Sequence, residues 1–372
     1  MDENHTPKQK HAARKVICKL LCFSLPFWAV ILLYFHDDPF KVIRPYKNYD
    51  SDVTLNEECV GWNIYLNRRD SLPFNSFILG NSCTMAFPCA LWESHLDSTS
   101  RAMRMPGNGE RCTTILLKLR ALEREGADLK NVLMVLDYYS IATLKPSTGY
   151  ANILPADISG EHPLKVQLEF LQAFCMPSFL PSYLRYRLTG KVLPSMKHMN
   201  PHGRVRNSMN NDALNPRERM ISQEGENYWN NRRHEFPPRN EKADTIGSVI
   251  RQPQKEVLEE IAGLLRRHHT SVRIIISPDW DQRRFNPADK AEMDSIFGKG
   301  VVYDFSGVNE FTEDYHNYYE RAHYRPQLSE RLLGIIYGKP CPSPLSSPGF
   351  PDTSLTPATT CGPPTHREGP EG

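Results

Sequence analysis

A strand that is apolar at successive positions, instead of alternate ones, must be buried on both faces, and Ser76-Phe-Ile-Leu-Gly80 is such a run. A parallel sheet covered by helices on either side buries a strand in that way. The rest of the chain repeats the pattern. Arg101 to Met105 reads as a weaker second strand, Asn131 to Leu136 as a third, Val272 to Ser277 as a fourth and Val301 to Phe305 as a fifth. Between them, Ile115, Leu116, Leu119 and Leu122 recur at helical spacing up to a stop near Gly126, and further helices are expected over Glu256–His268, Pro287–Phe297 and Pro326–Tyr337. Strands alternating with helices through short connections specify a right-handed, parallel α/β sheet.

The amino end belongs to a different solvent. Residues 20–35 carry no charge and follow Lys8, Lys10, Arg14, Lys15 and Lys19. Ile17 and Cys18 extend the apolar run to a bilayer-spanning length while Lys19 snorkels outward. Pro26 is tolerated in a lipid-embedded helix, and Trp28, Tyr34 and Phe35 lie toward the far end. No small-x-small cleavage site precedes His36, so residues 17–35 read as an uncleaved transmembrane anchor, with a removed signal peptide as the lesser alternative. Five cations lie between Met1 and Lys19, whereas the three cations after the span are cancelled by Asp37, Asp38 and Asp50. The positive-inside rule therefore puts residues 1–16 in the cytoplasm and everything after the span outside it.

Residues 36–75 show no period and read as a membrane-proximal linker to a domain over 76–338. Residues 140–250 interrupt the strand and helix alternation with prolines, methionines, arginines and asparagines. Apart from a short amphipathic piece near Val166 to Phe174, they read as an irregular insertion capping one end of the sheet. From Lys339 nine of the remaining residues are proline, which predicts a disordered tail over 339–372. Lysine plus arginine, 45, nearly match aspartate plus glutamate, 43, so the chain lacks the basic excess of a nucleic-acid binder. The arginine and asparagine clusters from Arg204 to Arg239 are interleaved with glutamates and read as a solvated face. Nine cysteines follow no ligand spacing, so no metal or cofactor is expected and the thiols read mostly as buried, although a Cys83–Cys112 disulfide is open.

Ligands of an open parallel sheet bind beyond the carboxyl ends of its strands. The residues there are Asn81-Ser82, Gly107 to Gly109, Asp137-Tyr138-Tyr139, Pro278-Asp279-Trp280-Asp281 and a long run ending Glu320-Arg-Ala-His323-Tyr-Arg-Pro326. Ser82 can present a hydroxyl and a backbone N–H to one ligand atom, or serve only as a helix cap. Glu320-x-x-His323 sets a carboxylate three residues before an imidazole, ahead of a helix that Pro326 can open. Trp280 could stack on a sugar ring or pack at the sheet edge.

Together these residues resemble the SGNH hydrolase superfamily, the GDSL esterases and lipases: Gly80-Asn81-Ser82 for the first block, Gly109 for the second-block glycine and Glu320-x-x-His323 for the terminal D-x-x-H. The stretches NSFILGNS and YDFSGVNEFTEDYHNYYERAHYRP look like membrane-anchored bacterial members, including relatives of proteins that O-acetylate alginate and D-alanylate teichoic acids. The resemblance implies a three-layer, flavodoxin-like SGNH fold with a five-stranded parallel sheet behind the transmembrane helix. It implies Ser82 as nucleophile, His323 as general base and Glu320 as its orienting acid, with the backbone N–H groups of Ser82 and Gly109 as oxyanion hole. The chain departs from the pattern at three places. Asn81 replaces an aspartate, Glu320 replaces an aspartate so that Asp314 or Asp304 could serve instead, and Asp137 stands where an asparagine donor is usual, leaving Tyr138 or Tyr139 as substitute donors.

The function so implied is a serine esterase or O-acyltransferase held in a bacterial inner membrane, its domain in the periplasm or outside, acting on acyl esters of an envelope or extracellular glycan. The alternative keeps the fold without catalysis, as a binding or assembly component of the cell envelope. A third reading is a membrane scaffold whose insertion recruits partners.

Overall fold

Five parallel strands, β1 (Ser76–Gly80), β2 (Ala102–Pro106), β3 (Asn131–Leu136), β4 (Ser271–Ile276) and β5 (Val302–Asp304), form one sheet in the order β2-β1-β3-β4-β5. The structure, a computed structural model, describes residues 7–145, 147–200, 205–239 and 244–338. The tail expected to be disordered, with Cys341 and Cys361, lies outside the described residues. The second strand begins one residue later than expected and runs on to Pro106, whose missing N–H is tolerated at the last position of an edge strand.

Successive side chains of each strand enter opposite layers. Phe77, Leu79, Val132, Met134, Ile274 and Ile276 join the core beneath helices α2 (Glu57–Arg68), α3 (Cys112–Arg124), α4 (Gln252–Arg267) and α5 (Pro287–Phe297) when these are numbered among the sheet-flanking helices. Ile78, Leu133, Val135 and Ile275 join the other core, beneath the segment 82–93 and helix α6 (Pro326–Tyr337). Burial on both faces is why β1 and β3 are apolar at successive positions after their first residue. Helix α4 starts at Gln252, earlier than expected, because Pro253 fits the first turn and the Gln254 side chain accepts from Arg251 N. The amino-terminal helix, α1 (Pro7–Asp37), is long and apolar enough over Arg14–Asp37 to cross a membrane.

Residues 36–75 are not a linker. Helix α2 packs on β2, and Trp62, Ile64 and Tyr65 are core residues. Its charged residues are buried as well: Lys118 Nζ lies 2.5 Å from Glu58 and 2.5 Å from Glu110 and donates to Met105 O, while Arg206 donates to Glu57 at 2.8 Å. The insertion is more regular than expected. It holds helices Pro163–Phe174 and Leu180–Thr189 around a third core with Tyr34 and Phe40, and a two-strand ladder Val205–Arg206/Ala213–Leu214. Asn210 O accepts from Arg104 N, so this part of the insertion covers the open edge of β2.

Strand ends are in register, Gly80 beside both Pro106 and Val135, so the loops after β1, β2 and β3 emerge together. Gly80 has φ +136°, and a Cβ there would lie 2.1 Å from Val135 O. Gly80→Ala is therefore expected to cost at least about 3 kcal/mol through strain and overpacking, read as a lowered urea midpoint. An unchanged midpoint would mean that the strand end is free to shift.

Candidate functional site

The serine and the histidine, 241 positions apart, meet. Ser82 Oγ lies 2.6 Å from His323 Nε2, and His323 Nδ1 is hydrogen-bonded to Glu320 Oε1. A carboxylate only accepts, so Nδ1 carries the ring proton and Nε2 is left to accept from the Ser82 hydroxyl. Burial pushes the Glu320 carboxyl up, but its bond to His323, electrostatic attraction to that ring, the Ala322 amide and Arg217 together hold it below the ordinary value. The glutamate reaches the ring although one methylene longer than aspartate. Tyr318–Glu320 and His323–Tyr324 pair antiparallel with a register shift between Tyr318 and Glu320, which folds the segment back on itself, and Glu320 Oε2 accepts from Ala322 N at 3.0 Å.

Ser82 opens a short 3-10 helix, Ser82–Ala86, whose first amides have no partner within the helix. Its cap is Asn81, whose Oδ1 accepts from Cys83 N at 2.9 Å, so Ser82 itself is not spent on capping. Asn81 Nδ2 donates to Asp137 Oδ2 at 2.9 Å, and Asp137 Oδ1 accepts from Ser140 N and Oγ. Asn81 and Asp137 thus form one hydrogen-bonded pair beside Ser82. Asp137 acts as an acceptor only.

An open cleft of about 640 Å³ lies over the serine and histidine, lined by Ser82, Met85, Asn108, Asn215, Arg217, Glu235, Glu320 and His323. Gly109, next to Asn108, has φ +55°, a left-handed turn that glycine adopts without strain. Asn108 Nδ2 donates to Ala151 O at 3.1 Å, which leaves its second amide proton for another acceptor.

Several expected alternatives lie elsewhere. Asp314 Oδ1 accepts from His316 N and is paired with the His316 ring, and Asp304 accepts from Ser306, so neither orients His323. Tyr138 stacks on Tyr139 at 3.8 Å and accepts from Arg283, and neither tyrosine lines the cleft. Burial raises the Tyr138 hydroxyl to about 12. Trp280 donates to Pro237 O and lies under the Arg239 guanidinium at 3.4 Å, packed instead of presented as a sugar platform. Cys83 and Cys112 are separate buried thiols. Among the described residues no group of three or more His, Cys, Asp or Glu side chains is arranged to hold a metal ion.

Sequence reasoning did not find Asn215, Arg217 and Glu235. Arg217 is paired with Glu235 and donates to Tyr319 O at 3.2 Å. Tyr228 OH donates to Tyr319 O at 2.7 Å and Trp229 Nε1 to Tyr318 O at 3.0 Å. The insertion therefore both walls the cleft and grips the strand that ends in Glu320. Its arginines are not merely solvated: Arg206, Arg217 and Arg232 each pair with a glutamate. Comparison with protein-family models, curated proteins and solved structures finds no match for the chain.

Proposed function

We propose that this chain is a membrane-anchored, SGNH-type serine esterase or O-acyltransferase of three-layer, flavodoxin-like fold. The observation that carries the reading is the continuous relay from Ser82 Oγ through His323 to Glu320 at the carboxyl edge of the sheet, open to a polar cleft. Ser82 Oγ attacks an ester carbonyl as its proton passes to His323 Nε2, forming a tetrahedral oxyanion. Glu320 holds the ring tautomer and stabilises the imidazolium. Collapse expels the alcohol, which takes the proton from His323, and leaves an acyl-serine. Water then releases the acid, or an acceptor hydroxyl takes the acyl group.

The oxyanion would be met by the N–H groups of Ser82 and Gly109, where one donor is typically worth about 3 to 4 kcal/mol. Asn108 supplies a further amide beside the cleft in place of the third-block asparagine. A polar cleft with an amide wall and the Arg217–Glu235 pair suits a hydroxyl-rich substrate, in keeping with an acylated glycan. The charge bias around the span faces the domain to the periplasm or cell exterior.

A fluorophosphonate probe tests the reading. The full chain in detergent is expected to label, and Ser82→Ala and His323→Ala to lose the label. Equal labelling of all three would end the proposal. The engagement of Asp137 by Asn81 and Ser140 favours a second reading, a catalytically silent binding or assembly component of the envelope. No labelling of wild type, together with specific retention on an acylated glycan column, would select it.

A further inference from the structure

We propose that the hairpin of helices Pro163–Phe174 and Leu180–Thr189 is a second membrane contact, lying in the lipid headgroup and acyl boundary beside the anchor. Each helix has one face committed to the core, through Val166, Phe170, Phe174 and Tyr183. Each also leaves large apolar residues in the open. Leu164 and Leu168, four positions apart on one face, are 69% and 62% exposed; Leu184 and Leu188, again four apart, are 39% and 87% exposed, and Met176 at the turn between the helices is 52% exposed. A soluble surface helix puts charge in such rows.

The occupant follows from where α1 ends. Val30 and Leu33, inside the apolar segment that is long enough to span a bilayer, are already packed against the core formed by these helices, and Tyr34 is fully buried there. Tyr34 OH donates to Gln167 Oε1 at 3.0 Å, and Tyr183 OH and Arg187 Nε donate to Asp37 at 2.8 and 2.7 Å. On a helical wheel, position 167 falls between the core row of this helix and the 164/168 row, so the anchor runs alongside the exposed row. Past the helix, Asp38 accepts from Val42 N and Ile43 N, which locks the exit turn and joins anchor and domain rigidly.

Val30 lies five residues before Phe35, or about 7 to 8 Å at 1.5 Å per residue. Helices that cover Val30 must therefore reach about that far below the end of the apolar segment. This is the depth, about 5 to 10 Å, at which an amphipathic helix rests in the interface. Lipid at that depth accounts for leucines left exposed on helices that sit beside the partly buried Val30.

Depth measurement on the full chain tests this. Cys18, Cys22, Cys175, Cys341 and Cys361 are changed to serine, and an environment-sensitive NBD label is placed at Leu168→Cys, Leu188→Cys or, as control, Ser295→Cys. The proteins are reconstituted into phosphatidylcholine–phosphatidylglycerol vesicles (4:1). Labels at 168 and 188 are expected to emit at shorter wavelength than at 295 and to be quenched by doxyl-labelled phosphatidylcholine, with 295 unaffected. Water-like emission at 168 and 188 would overturn the proposal. So would short-wavelength emission without quenching by the doxyl lipid, which would mean that protein, such as a second copy, covers the leucines. The result does not depend on whether Ser82 is a nucleophile.

Discussion

Turnover of p-nitrophenyl acetate by Ser82→Ala is expected to fall by a factor on the order of 10^4 to 10^6, with no change in thermal midpoint. The selectivity of the effect follows from the local structure. Asn81, not Ser82, caps the 3-10 helix, so deleting Oγ removes the proposed nucleophile and one hydrogen bond to His323 but leaves the loop held. Glu320→Gln retains the length of the side chain while removing its charge. Because an amide can donate as well as accept, the ring can settle in the wrong tautomer, and a loss on the order of 10^4 is expected. Steady-state kinetics on both variants checks the order. Wild-type turnover by Ser82→Ala would remove the serine from the chemistry.

Lys118→Met is expected to destabilise the fold by about 3 to 5 kcal/mol, because it leaves two carboxylates buried without their cation. The ammonium touches Glu58 and Glu110, and all three side chains are withdrawn from water. Burial first, then the charge of Glu58, pushes the Glu110 carboxyl up to about 8 against the opposing pull of Lys118. A raised carboxyl binds its proton more tightly in the folded than in the unfolded chain. Its stabilising contribution is therefore complete below about pH 4.5 and fades as pH climbs through 8. Urea midpoints across that range should show wild type losing stability relative to Glu110→Gln. Adding Glu58→Gln and Glu110→Gln to Lys118→Met should recover most of the loss. An unaltered midpoint for Lys118→Met would refute the buried-charge account. The cluster also bears on the serine, since Glu110 Oε2 accepts from Gly80 N, two residues before Ser82.

What could be read from sequence tracks where the governing interaction is local. The limits of β1 and β3, and of the helices Pro287–Phe297 and Pro326–Tyr337, come from apolar runs bounded by proline, glycine and asparagine, and they match residue for residue. Helix α2 was hidden because its face toward the core includes Glu57 and Glu58, which look solvated until Arg206 and Lys118 arrive from distant segments. The helices at 163–189 were only partly legible because their core is completed by Tyr34 and Phe40, more than a hundred residues earlier. At the site, the Ser82, His323 and Glu320 positions followed strand ends and a short spacing. Arg217 and Glu235 had no comparable mark, since a paired arginine and a solvated one have the same spelling.

The grip of residues 217–229 on the Tyr318–Glu320 strand ties two properties that many enzymes keep apart. In a modular architecture, a surface excursion can be exchanged to suit a new substrate while the reacting groups stay put. On the proposed function, a graft replacing 205–239 would alter selectivity and loosen the segment that carries Glu320 and His323 together, because Arg217, Tyr228 and Trp229 hold its backbone.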